Sequence, residues 1–549
     1  MAGDPGSKVC IIGLDGATFT VLDRWMAAGE MPNLREMVET GVRGELMSTI
    51  PPVTGPAWTS MTTGVNPGQH GIYDFFRWPK DSRRERVVRS TDCTVPRIWD
   101  LAGEAGLRVG VYHVPITYPA RPVNGFMVTG LLTTREDSSA SHPPELWEEL
   151  SRRGLGKLKG DNPREDVELY TREKTSILCD SRHTMKYLLE RFQPDLFMCV
   201  VSELDHIQHH AWEHCVRGED AANPELREIT ARFFHELDDT IGMLRRSFGD
   251  GTTYFIVSDH GFGPVRGAVY INNYLVQKGF LRLKKVPAAS TSLLLRAARP
   301  VKLLLKHTGL LGLARTALRL LAPGSKLRMH RRRRGHAQLM DAVDWNRTLA
   351  CALSMSDCGI HLNRRDRWSD GTVEPGPQAE KVLQDLIGAL HELEDPETRR
   401  KVVSHIRRPT SVHTGPCMEN APDLFLAVLE GELAVSTRLG GPVFGSYEKV
   451  ASHRMEGVLV ASGPGIKKGV QLNADILDVA PTVLHVLGQD VPGYMEGRVL
   501  QDAFTENGRR PVRRDEVPLD ERRLKMAEFA SLKGDETVVK KRLADLGYI

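Results

Sequence analysis

Four stretches of the chain, residues 9–14, 196–201, 253–257 and 457–461, are almost continuously apolar and lack the alternation of a strand with one wet face. Between them, segments 33–40, 96–105, 181–192 and 226–248 carry apolar residues every three or four positions. Apolar strands separated by amphipathic helices predict an α/β fold, a mostly parallel sheet covered by helices on both faces. Ligands of such sheets gather at the carboxyl ends of the strands. The residues that follow each strand are therefore the first place to look for chemistry.

Asp15 follows the first strand, Asp205 and His209 the second, and Asp259 with His260 the third. On a helix, Asp205 and His209 share one face, because they lie four residues apart. Asp259 and His260 would point to opposite faces of a strand, but in the turn before Gly261 and Gly263 both can face one site. Carboxylates and neutral imidazoles converging from separate elements are the donor set of a divalent metal. Thr54, in the segment PPVTGPAWTSMTTG at 51–64, suits the cap of a helix with Pro56 in its first turn. The free N–H groups and positive end of that helix favour an anion beside the hydroxyl.

Composition narrows the class. At 41% hydrophobic and 26% charged residues the chain is not a disordered one. Its eight cysteines include no C-x-x-C pair, against a disulfide scaffold or zinc ribbon. The start has no basic segment leading into a long apolar run, and the Leu-rich stretch 291–322 is broken by basic residues. A cytoplasmic protein is expected.

Charge is unevenly spread. The net +3 averages a stretch, 260–340, that has 17 Lys or Arg and no Asp or Glu, against a net −14 for the rest. With Leu303, Leu304, Leu310, Leu311, Leu318 and Leu321 as apolar residues, this stretch reads as basic helices packed on the core. The alternatives are a lid steering phosphorylated substrates, or attachment at the periphery of an anionic membrane; nucleic acid is the weaker alternative. At 549 residues the chain is expected to divide into a catalytic core, 1–280 and 441–508, a basic amphipathic insertion, 281–343, a smaller α+β cap, 344–440, and a charged tail, 509–549, with a last helix near 536–546.

Taken in order, IIGLDG, MPNL at 31–34, PPVTGPAWTSMTTG, PGQHGI at 67–72, the D-x-x-x-H of Asp205 and His209, SDHGFG at 258–263, and His453 ahead of VLVASGPG resemble the alkaline phosphatase superfamily. They are most similar to its type I phosphodiesterase and nucleotide pyrophosphatase branch. The resemblance implies that Asp15, Thr54, Asp259 and His260 bind one metal, that Asp205, His209 and His453 bind a second, and that Thr54 is the nucleophile. Two zinc ions are the cofactors it implies, with manganese the alternative. Spacing alone would not select His453.

The implied function is a two-metal phosphohydrolase that cleaves a small phosphodiester or pyrophosphate through a phosphothreonine. A phosphomonoesterase, phosphonate monoesterase or phosphomutase with the same site is the alternative; a non-catalytic basic-surface protein is the alternative of another class. Sulfatase activity needs C-x-P-x-R, and TGPAW at 54–58 lacks the Cys and the Arg. Nucleotide pyrophosphatases commonly carry Asn three residues after the nucleophile, where this chain has Ala57. His70 reads as structural, and His413 as an exposed loop histidine.

Overall fold

The computed structural model describes residues 7–156, 166–217, 223–284, 341–353 and 359–527. The insertion expected at 281–343 lies, for residues 285–340, outside the described residues, as does the tail helix expected at 536–546. Among the described residues, no helix is long and apolar enough to cross a membrane.

A ten-stranded sheet runs through the molecule. Its centre is Lys8–Leu14, paired in parallel with Leu196–Val201 on one side and Thr252–Val257 on the other. Beyond Leu196–Val201 come Val109–Tyr112 and Gly125–Val128, also parallel. On the opposite flank Glu456–Ser462 lies antiparallel between Thr252–Val257 and Val42–Met47. Val42–Met47 therefore points the same way as the central strands, and both its carboxyl end and the amino end of Glu456–Ser462 reach the edge where Asp15 emerges.

Alternation along the central strand explains the three layers. Cys10, Ile12 and Leu14 face a core formed with Trp25, Phe233, Phe234 and Leu237, under helices Phe19–Ala27, Val167–Phe192 and Pro224–Phe248. Val9 and Ile11 face the other way, against Trp58, Met61, Trp99 and Leu484 of helices Thr54–Thr63, Ile98–Glu104 and Val479–Val486. Two-sided burial is why these strands are apolar throughout. The MPNL segment is fastened here: the Asp238 carboxylate accepts the backbone N–H groups of Asn33 and Leu34 at 2.9 and 2.8 Å.

A second, antiparallel sheet orders Ala350–Ala352, Gly359–Leu362, Leu424–Val428 and Val403–Arg407, and shares an apolar core with helix Pro377–Glu392. The pair Gly261–Pro264 and Ala451–Arg454 sets Phe262 opposite His453.

Candidate active site

The candidate side chains arrive from several elements at one edge of the main sheet. Asp15 directly follows the central strand, and Gly16 turns the chain with φ +68°, a conformation in which a side chain would also collide with the Phe262 ring. The Gly16 N–H donates to Asp259 Oδ1 at 3.2 Å, joining the ends of two neighbouring strands. Trp58 Nε1 donates to Asp15 Oδ2 at 3.2 Å, and Ser48 Oγ donates to the Asp259 carbonyl at 2.5 Å.

Asp205 and His209 occupy the first two turns of helix Glu203–Arg217, with His209 Nε2 3.6 Å from Asp205 Oδ1. His453 Nε2 lies 3.3 Å from Asp205 Oδ1 and 3.3 Å from His209 Nε2. His260 Nε2 lies 3.3 Å from Asp259 Oδ2 and 3.6 Å from Asp15 Oδ1. The rings of His260 and His453 stack at 3.8 Å between centroids, so the two halves adjoin. All seven residues expected from the sequence thus converge.

Thr54 is the first residue of its helix, and Val53, in extended conformation, holds the cap position expected for Thr54. The threonine side chain is turned to the site instead: Thr54 Oγ1 lies 3.3 Å from His260 Nε2.

The three histidines present the same nitrogen. His209 Nδ1 lies 2.9 Å from the Ala451 carbonyl, His260 Nδ1 3.1 Å from the Gly261 carbonyl and His453 Nδ1 3.1 Å from the Pro52 carbonyl. A carbonyl can only accept, so each Nδ1 carries a proton and each ring turns its Nε2 to the cluster, the orientation typical of metal-binding imidazoles. Burial, reinforced by Lys449 at His209 and by His453 at His260, holds both imidazoles well below their usual pKa and therefore neutral.

The carboxylates divide. Burial raises Asp15 and Asp259 well above the usual carboxylate range; repulsion from Asp259 and Asp205 adds to it at Asp15, and repulsion from Asp205 adds to it at Asp259. Burial alone would raise Asp205 too, but the imidazoles of His209, His453 and His206 pull it well below that range.

A divalent metal suits this donor set. Asp15 Oδ1 and Asp259 Oδ2 are buried and accept no hydrogen bond, although burial without a partner is costly for a carboxylate oxygen. Among the described residues, ligand atoms of Asp205, His209 and His453 lie within 4.8 Å of one another, as do those of Asp15, Asp205 and His260. The first trio matches the resemblance. The second brings Asp205 toward the half of the site that the resemblance assigns to Asp15, Asp259, His260 and Thr54.

Other expectations resolve around this centre. His70 is buried and structural: its Nε2 lies 2.8 Å from Ser60 Oγ and its Nδ1 accepts the Ile72 N–H at 3.1 Å. His413 is not an exposed loop histidine. It is buried against Tyr73 and Phe425, with Nε2 2.7 Å from the Ile50 carbonyl. Ala57 is buried in the apolar core beside Trp58.

Sequence reasoning missed Lys449. It is buried, with Nζ 3.0 Å from His209 Nε2, and sits in irregular chain that carries no periodic signal.

Residues 9–458 match the model of the type I phosphodiesterase / nucleotide pyrophosphatase family. The chain belongs to this family. It is thereby a phosphoric ester hydrolase of the alkaline phosphatase superfamily, in a family dependent on divalent metal. No curated protein matches it by sequence. Among solved structures it is similar to murine ectonucleotide pyrophosphatase / phosphodiesterase 5, here an inactive variant in complex with AMP, at 11% identity and a TM-score of 0.51, over 91% of this chain and 100% of the other. The human counterpart has 12% identity, the same TM-score and the same coverage. Phosphonoacetate hydrolase from Sinorhizobium meliloti, in complex with phosphonoacetate, has 14% identity and a TM-score of 0.50, over 87% of this chain and 95% of the other. At such identities the likeness is one of fold.

Proposed function

We propose that this phosphoester hydrolase uses two divalent metals and Thr54 to cleave a small phosphodiester or pyrophosphate. The observation that carries the reading is the position of Thr54 Oγ1, turned away from capping its helix and held 3.3 Å from His260 Nε2 at the edge of a buried Asp and His cluster. Asp15, Asp259, His260 and Thr54 would hold one metal, and Asp205, His209 and His453 the other. Such a pair lowers the pKa of a bound hydroxyl and offsets the charge that develops at phosphorus.

Thr54 attacks phosphorus in line with the departing oxygen. A phosphothreonine forms as the bond to the leaving group breaks, and water then hydrolyses it, returning Thr54 to its hydroxyl form. The positive end of helix Thr54–Thr63, at Thr54 itself, would face the oxygens that gain charge. The protein scaffold fixes the geometry: each imidazole is oriented by a backbone carbonyl, and Trp58 orients Asp15. Zinc suits the mixed nitrogen and oxygen donors, and manganese is the second choice.

In the test, Thr54→Ala is assayed against bis-p-nitrophenyl phosphate beside wild type, with bound metal measured in both. Turnover should fall about a thousandfold or more with metal content largely kept. Unchanged turnover would exclude Thr54 as nucleophile. A screen that adds p-nitrophenyl phosphate and phenylphosphonate esters separates diesterase from monoesterase and phosphonate esterase activity.

A further inference from the structure

Lys449 stands at one end of a row of groups that has Thr54 at the other. Thr54 Oγ1 lies 3.3 Å from His260 Nε2, the His260 ring stacks on His453 at 3.8 Å, His453 Nε2 lies 3.3 Å from His209 Nε2, and His209 Nε2 lies 3.0 Å from Lys449 Nζ. In an in-line displacement the nucleophile and the leaving group stand on opposite sides of phosphorus. If Thr54 attacks, the leaving group departs toward the His209 end, where Lys449 is.

The backbone keeps the lysine there. The Val450 N–H donates to the His209 carbonyl at 3.0 Å, and His209 Nδ1–H donates to the Ala451 carbonyl at 2.9 Å, so the segment from Lys449 to Ala451 is pinned along the histidine. Lys449 Nζ faces the lone pair of His209 Nε2, the position a metal ion would claim. A divalent ion there would repel the ammonium, and with the backbone pinned it is the side chain that would turn aside. Val450, at 44% exposure, marks this segment as bordering solvent.

Charge differs between the two ends. With one divalent ion at each, the Thr54 end carries two carboxylates, Asp15 and Asp259, and an ionised hydroxyl, and is net negative. The His209 end carries Asp205, two neutral imidazoles and the ammonium, and is net positive. That asymmetry favours a departing group that is itself anionic, and a displaced lysine side chain is well placed to meet it.

We propose that Lys449 is a specificity-determining residue: it binds the leaving group and selects substrates whose leaving group carries its own negative charge, a phosphate or a carboxylate, over neutral alcohols and phenols. The inference rests on the two-metal, Thr54 reading above and assigns a function to a residue which that reading leaves unused. Lysine suits the task as a flexible point charge, whereas a bidentate clamp would call for arginine.

The test compares two probes that share one nucleoside: thymidine 5′-triphosphate, which leaves as pyrophosphate, and the p-nitrophenyl ester of thymidine 5′-monophosphate, which leaves as a phenol. Wild type, Lys449→Met and Lys449→Arg are loaded with zinc and their metal content is measured. The expected result is that the ratio of kcat/KM for triphosphate over ester falls at least tenfold in Lys449→Met, is largely kept in Lys449→Arg, and changes at equal metal content. An unchanged ratio, or an equal loss on both probes, overturns the proposal, because a purely structural lysine would affect both alike. Calorimetric binding of inorganic phosphate to the same loaded proteins gives a readout independent of turnover, and should weaken about tenfold in Lys449→Met. If wild type hydrolyses neither probe while phosphate binding still depends on Lys449, the anion site stands and the hydrolytic reading falls. If neither turnover nor phosphate binding depends on Lys449, the proposal is wrong.

Discussion

His453 Nδ1–H donates to the carbonyl of Pro52 at 3.1 Å, so one imidazole both enters the buried Asp and His cluster and holds the loop that delivers Thr54 two residues later. His453→Ala should therefore do two things at once: loosen metal by about tenfold or more, and leave residual activity that excess metal does not fully restore, because the Thr54 loop has lost its tether. Full rescue by metal alone would show that the Pro52 contact has no part in placing Thr54. Metal titration and kcat at saturating metal separate the two effects.

Removal of metal should cost stability as well as activity. An ion that binds only the folded form adds about 2.7 kcal/mol at a hundredfold excess over its dissociation constant. Chelation should therefore lower the melting temperature measurably and abolish hydrolysis, with zinc or manganese restoring both. Restored melting temperature without restored hydrolysis would point to a purely structural metal.

The pH dependence of metal binding follows from the split among the carboxylates. Without metal, burial and the charge of neighbouring carboxylates, Asp205 among them, hold Asp15 and Asp259 well above the carboxylate range, so they keep protons at a pH where ordinary carboxylates have lost them. Asp205 is held low, and His209 and His260 are already neutral, so they have no protons to give up near neutrality. A raised folded-state pKa contributes stability at acid pH that is lost as the pH rises through it. The metal-free protein should accordingly lose stability as Asp15 and Asp259 ionise, while metal affinity rises over the same interval and binding releases protons. Calorimetry in buffers of different ionisation enthalpy counts those protons; none released near the ionisation of Asp15 and Asp259 would contradict the assignment.

Gly13→Ala should destabilise the core beneath the site. A Cβ there would overlap the Trp58 ring and come within 2.9 Å of the Val200 side chain and 3.0 Å of the Cys199 carbonyl. Overpacking of this kind costs about 1–3 kcal/mol, and because Trp58 also bonds Asp15, activity should fall more than thermal stability alone explains. Denaturation midpoints and kcat measured together test the pair of effects.

Much of this site is written in the local pattern of the chain. Asp15, Asp205, Asp259 and His260 follow apolar strands, and parallel strands put their carboxyl ends on one edge. His453 escapes the same rule because it precedes Glu456–Ser462, which runs antiparallel: an amino end lies where the other strands end, and no local signal records strand direction. Val42–Met47 and Val109–Tyr112 are short and partly polar or glycine-bearing, so their membership in the sheet depends on neighbours distant in sequence. The helix foreseen at 181–192 begins at Val167, because Lys174, Thr171 and Thr175 are polar yet buried and blur the apolar stripe.

The place of Glu456–Ser462 also sets the order in which the protein can mature. Val42–Met47 and Thr252–Val257 become neighbours only through this strand, so a chain emerging from the ribosome carries a split sheet until Glu456–Ser462 has been synthesised. The same strand brings His453 and, just before it, Lys449. Sheet closure, the tether on the Thr54 loop and completion of the Asp and His cluster are thus one event, so on the reading proposed above an incomplete chain would lack both the full donor set and an aligned Thr54.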